Sequence, residues 1–408
     1  MIELLFLLFI SKSANNQEKE NPNHASISKC KEELISNSNK TCKTEGFLFI
    51  DSETNYIRMF EYYKCTELIG PLIIPDSISY IGMFAFYGCT GLTGPLKIPD
   101  SVVCINMHAF TGCTGLSGDL IIPNKLEYIE RSTFCGCSGF TGSLIIPNSV
   151  VKIDDSAFEG CSGLDGILNI SKSVTQIGGD AFSGCSKLNG DLVIPNSITQ
   201  IENNLFYGCS GFNGKLKLPD SLTNIGSSAF EGCSGLIGKL VLPDSVTYIG
   251  SCAFSNCSGL NGNLAIPDSV TNIGSWAFSE CHGFTGSLIL PKHIDSIESS
   301  TFLNCFNLNG TLTIPSSVTS IGSFAFSGCS SLKGNLKIPN SVTNIGNSAF
   351  SGCYGFTGSL ELPISVTNIG NEAFLNCFGF NGSLKISKSV INIGNHAFSG
   401  CSGLKGEL

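Results

Sequence analysis

Charge is scarce in this chain of 408 residues, where Asp, Glu, Lys and Arg make up 13%. A typical soluble domain carries about 25%. With 42% apolar residues, the scarcity excludes disorder and implies a buried core. The formal charge of −9 leaves no basic surface, so a nucleic-acid partner is not expected. Histidine is rare too. His24, His108, His282, His293 and His396 lie in different units, without metal-ligand or triad spacing, and His108, His282 and His293 read as surface decoration. No Cys-x-x-Cys pair occurs, and no glycine-rich phosphate loop precedes a helix, so neither metal nor cofactor is expected. No set of side chains supplies a nucleophile, a base and an oxyanion site, which argues against an enzyme. The apolar run over the first ten residues is too short to span a bilayer, and no later stretch is long and apolar enough to do so.

What the chain has instead is a beat. Cysteine recurs every 24 residues from Cys65 to Cys401, fifteen times, without insertion or deletion. A fixed period of that size is the mark of stacked repeats. Counted from the cysteine, the glycine five residues later (Gly70 to Gly406) and the isoleucine eight residues earlier (Ile57 to Ile393) occur in all fifteen units. The aromatic three residues earlier is Phe in every unit but the first, which has Tyr62. Leu240 and Leu242 alternate with Lys239 and Val241, which is strand periodicity, and Pro243 ends the strand by removing a donor. Ser245-Val246-Thr247 reads as a second extended arc. The three-residue spacing of Phe254, Cys257 and Leu260 suits a turning segment. The invariant glycine implies either φ > 0 or close approach to the next coil. About eight positions per unit point inward, so each coil needs its neighbours. Fourteen steps of roughly 4.8 Å give a rod or arc of roughly 65–70 Å.

Three segments are expected. Residues 1–14 read as a secretory signal peptide, an apolar run with Ser11 and Ser13 before Ala14, although Glu3 and Lys12 depart from the usual pattern. Residues 15–45 form an N-terminal cap or linker. Residues 46–408 form the array, about fifteen repeats, ending at Gly406-Glu407-Leu408 without a polar C-terminal cap.

The pattern L-x-G-x-L-x-I-P-x-S-V-T-x-I-G-x-x-A-F-x-G-C-S resembles the BspA-like class of leucine-rich repeats, in the 24-residue form of protist and bacterial surface antigens. The resemblance covers most of the chain. It implies a mostly β, right-handed solenoid with a parallel sheet on its concave face. It further implies a secreted or cell-surface adhesion role, with host extracellular or surface proteins as partners. An intracellular protein-interaction scaffold is the alternative, and would place the protein in the cytoplasm.

Candidate sites follow from the columns that vary. The outward strand position between two core residues is apolar in excess: Ile73, Ile121, Ile145, Val193, Val241 and Ile289, broken by Lys97, Asn169, Lys217 and Ala265. Such a column reads either as β-propensity with side-chain ladders or as a protein-binding surface. The resemblance favours the surface. Lys215, Lys217 and Lys239 form the local basic cluster, a contact for an acidic partner. The repeated cysteines are expected as a ladder of buried free thiols rather than disulfides. Cys30 and Cys42 are candidates for a disulfide closing the N-terminal segment. Sequons at Asn39, Asn169, Asn256, Asn309 and Asn381 are candidate glycosylation sites, with Asn39, Asn309 and Asn381 the best placed.

Overall fold

The computed structural model describes residues 48–405. Among them the chain forms a solenoid of parallel strand pairs with no helix. The candidate signal segment, the Cys30–Cys42 pair and Asn39 lie outside the described residues.

Each coil joins its neighbours through two short ladders and one hydrogen-bonded turn. In the first ladder, Leu192 and Val193 pair with Leu216 and Lys217, and Leu264 and Ala265 with Leu288 and Ile289. The second ladder passes through the invariant isoleucine. Its longest sheet has five strands, from Ser296–Ile297 to Asn392–Ile393. This second strand starts three residues later than the sequence suggested. Tyr248–Ile249 form it, and Ser245 sits in a turn where Val246 N–H donates to Pro243 O at 3.1 Å. The proline carbonyl turns the chain before it can extend again.

Eight side chains per coil fill the core. Leu260, Leu264, Ile266, Val270, Ile273, Ala277, Phe278 and Cys281 are all buried. The phenylalanines stack face to face from Tyr62 to Phe398. Adjacent rings lie 5.2–5.8 Å apart and within 12° of parallel. One strand spacing plus a small lateral offset gives this separation, within the favoured range for offset stacks.

The turn carrying this phenylalanine holds a feature without a sequence signal. The residue five before the cysteine has positive φ in every coil, from Phe60 to His396, and it is never glycine. Three bonds per step stabilise it. In one coil, Phe84 N–H donates to Met107 O, Phe86 N–H to Ala109 O and Gly88 N–H to Thr111 O, at 3.1, 2.8 and 2.7 Å. Those inter-coil bonds offset the steric cost of roughly 1 kcal/mol that a non-glycine residue meets there.

Both readings of the invariant glycine hold, in different coils. Gly238 has φ +85°, and a Cβ there would find its nearest atom at 3.5 Å. Gly214 has no positive φ, but its Cβ would lie 2.6 Å from the Asp191 backbone nitrogen. The two alanine substitutions therefore separate strain from collision. Gly238→Ala is expected to cost about 1–2 kcal/mol. Gly214→Ala, which must displace a backbone, should cost more. Equal denaturation midpoints for the two variants would contradict this division.

Candidate protein-binding face

The strand face is built by backbone alternation. Leu and Ile of each Leu-x-Ile segment point in, so the residue between them points out. Ile73, Ile121, Ile145, Val193, Val241 and Ile289 are all exposed, with Ile121 at 68% and Val241 at 70%. The sequence reading took one outward column. Exposed Phe49 extends it by one coil, and Ile69, Ile167 and Ile237 add apolar surface from the two adjacent columns. The signal was available, since those residues occupy the other x positions of L-x-G-x-L. Beyond Ile289 the face changes character. The outward residues of the next four coils are Asn309, Thr311 and Thr313, then Lys333, Asn335 and Lys337, then Thr357, Ser359 and Glu361, then Asn381, Ser383 and Lys385. The exposed apolar positions of this face thus lie between Phe49 and Ile289, interrupted by the wholly polar set Asn213, Lys215 and Lys217.

Lys215, Lys217 and Lys239 stand on two successive coils of this face. Asp191, one coil earlier, takes Lys217 Nζ at 2.8 Å and the Lys215 backbone N–H at 2.9 Å. The Lys217 ammonium holds the Asp191 carboxyl below its ordinary value. The cluster is therefore less basic than its sequence suggests, with Lys215 and Lys239 presenting the unpaired charge among the described residues.

The thiol ladder has a role that packing alone does not give. From Cys89 to Cys401 each Sγ donates to the carbonyl oxygen of the aromatic residue one coil earlier, such as Cys113 to Phe86 at 3.0 Å and Cys257 to Phe230 at 3.0 Å. A thiolate could not donate. Burial pushes Cys185, Cys233 and Cys305 up to about 12, which keeps the donor in place. One expectation needs correction: the free-thiol ladder does not include its first member. Cys65 is disulfide-bonded, as is Cys104, which lies outside the 24-residue beat. A cysteine at a core position gives no sign in sequence that an oxidised partner can reach it.

The histidines are separate. His108 stacks on Phe84 at 4.6 Å, and burial, helped by Arg131, lowers its pKa. His282 stacks on Phe306 and approaches Glu280 at 3.2 Å. On the turn side, a recess of about 570 Å³ is lined by His108, Arg131, Asp155, Asp180 and Glu202, with Arg131 bonded to Asp155 at 2.5 Å. Among the described residues no cluster of His, Cys, Asp and Glu could hold a metal ion. Of the sequons, Asn309 donates its amide to Thr285 O at 2.5 Å, and Asn381 Oδ1 accepts from Gly358 N–H at 2.9 Å. Each asparagine ties its coil to the one before.

A family described as BspA type leucine-rich repeat region matches residues 55–189, 189–309, 236–357 and 309–406. Among solved structures, a leucine-rich repeat protein from Bacteroides ovatus is similar at 27% identity. The match covers 86% of this chain and 81% of that one, with a TM-score of 0.63. A leucine-rich cell surface protein from Faecalibacterium prausnitzii is 26% identical over 78% of this chain and 82% of its own, with a TM-score of 0.45. No protein of curated function matches.

Proposed function

Since the chain belongs to the BspA-type leucine-rich repeat family, we propose that it is a non-catalytic solenoid that binds other proteins through its strand face. The carrying observation is the set of exposed apolar residues between Phe49 and Ile289, held on coils that pair in register, Phe49 with Ile73, Ile121 with Ile145 and Ala265 with Ile289. A rigid surface loses little entropy on binding, and exposed apolar stripes with polar rims are what interfaces bury. Lys215 and Lys239 would meet acidic groups of the partner at the rim. The proposed setting is the cell surface or the extracellular space, with adhesion to host extracellular or surface proteins as the role. An intracellular scaffold is the second reading. Protease treatment of intact cells distinguishes them, because only a surface protein is cleaved.

The test is a pull-down of extracellular-matrix and cell-surface proteins, followed by titration of the captured partner. Ile121→Asp with Ile145→Asp is expected to weaken binding by at least about tenfold, the loss of roughly 1.4 kcal/mol or more. Circular dichroism should be unchanged, since both side chains are exposed. Undiminished affinity would remove the strand face from consideration.

A further inference from the structure

Along the outward column Ala265 is the smallest side chain. Val241 and Ile289, each exposed, flank Ala265 from the neighbouring coils. The truncated side chain opens a notch of about 360 Å³. Its floor and walls are apolar, formed by Leu242, Ala265, Ile266, Pro267, Ile289 and Leu290. That volume lies at the low end of the range for sites that take a ligand group.

The rim on one side is acidic. Asp244 and Asp268 occupy the same position of successive coils, just past the strand. Lys292 stands at that position in the coil that follows and binds Asp268 at 2.5 Å. This pair leaves Asp244 as the exposed charge at the notch, with no cation paired to it among the described residues. An apolar socket with one unpaired carboxylate selects for a particular neighbour sequence.

We propose that this notch is a specificity pocket for a partner segment carrying an aliphatic or aromatic side chain beside a lysine or arginine. The proposal rests on the strand-face reading and narrows it to one anchor point. The apolar group fills the space over Ala265, against Ile289, Leu242 and Pro267. The cation lies outward against Asp244, where a rim pair contributes more to selectivity than to affinity. Anchor residues in well-packed pockets carry most of the energy of such interfaces. At Ala265 the column loses bulk but stays apolar, whereas at Lys97, Asn169 and Lys217 it turns polar.

The probe is a displayed library of random heptapeptides selected on the full chain, with enriched peptides synthesised and measured by fluorescence anisotropy. The expected result is enrichment of an apolar residue next to a basic one. Ala265→Lys, which fills and charges the notch, should weaken those peptides by at least about tenfold. Asp244→Lys should weaken them several-fold, and replacing the peptide's basic residue by Glu should restore binding to that variant alone. A loss of fold could not produce such a charge-reversed rescue. Ala265 is exposed, so thermal melting of both variants should match the parent. No enrichment, enrichment without the apolar–basic pair, or full binding by Ala265→Lys would overturn the proposal. If Ala265→Lys binds normally while Ile121→Asp with Ile145→Asp does not, the notch is excluded and the strand face stands. If neither variant weakens binding, both readings fall.

Discussion

Raising the pH from about 8 to about 10 is expected to unfold the array in a single steep transition. The cause is the column of thirteen buried free thiols from Cys89 to Cys377. Burial raises them above the ordinary 9.0, several to about 12, except that at Cys377 the hydrogen bond with Cys401 comes first and burial second. A folded pKa above the unfolded one means that the folded chain keeps protons which the unfolded chain releases. The stabilisation is therefore complete below about pH 9 and is lost as the pH climbs toward the folded value. Each thiol loses about 1.4 kcal/mol per pH unit in that window. Summed over the column, the loss by about pH 10 is on the order of 15 kcal/mol, comparable to the whole net stability of a typical folded protein. Thiolate absorbance and far-ultraviolet circular dichroism should change together, since no thiol ionises until its coil opens. A rise in thiolate absorbance well ahead of any loss of structure would show that the thiols are accessible, and would sink this account.

Removing one ring from the middle of the stack should have the second-largest effect. Phe254 is wholly buried and stacks on Phe230 at 5.2 Å and Phe278 at 5.4 Å. Phe254→Ala leaves a cavity and breaks two ring contacts, with an expected cost of about 3–5 kcal/mol. In a solenoid, stability is a sum of coil terms and nearest-neighbour terms. The defect therefore weakens one seam and leaves distant coils intact. Two melting transitions, or hydrogen-exchange protection lost around coils 230–281 and retained at both ends, are expected. A uniform loss of protection along the whole array would show that the coils are coupled far more tightly than nearest-neighbour packing allows.

The difference between what was legible and what was not follows one physical line. Core positions such as Leu264, Ile273 and Phe278 announce themselves because burial demands apolar residues at fixed intervals, and the period multiplies that signal fifteenfold. Gly214 and Gly238 were legible as glycine, though not which of two reasons applied to each, because the answer depends on a neighbouring coil. The left-handed residue at Ser228 or Trp276 was invisible. Residue types there vary freely, from buried Phe84 and Ser300 to exposed Trp276, and the conformation is imposed by inter-coil bonds. The thiol's partner was hidden for the same reason, since a carbonyl 27 residues away leaves no mark on composition. The site was half legible. The row through Ile121 and Val241 stood out, whereas Ile69, Ile167 and Ile237 needed the other two outward columns to be seen as part of one face. Asp191 beside Lys217 likewise appears only when coils are laid against each other.

The 24-residue register has a consequence for length. Most ladder contacts join equivalent positions, such as Ile225 to Ile249 and Leu192 to Leu216, the ring stack does the same from Phe206 to Phe230, and the remaining pairings keep a fixed offset of their own, as Gly238 to Leu260 and Gly94 to Leu116 do. A segment of one full period could therefore be excised or duplicated anywhere, and the new junction would present the faces that were there before. The array is in this sense modular to the residue. Its reach can change in whole coils without any core side chain meeting an unfamiliar neighbour, while the outward letters, which no ladder constrains, are shuffled along with each coil.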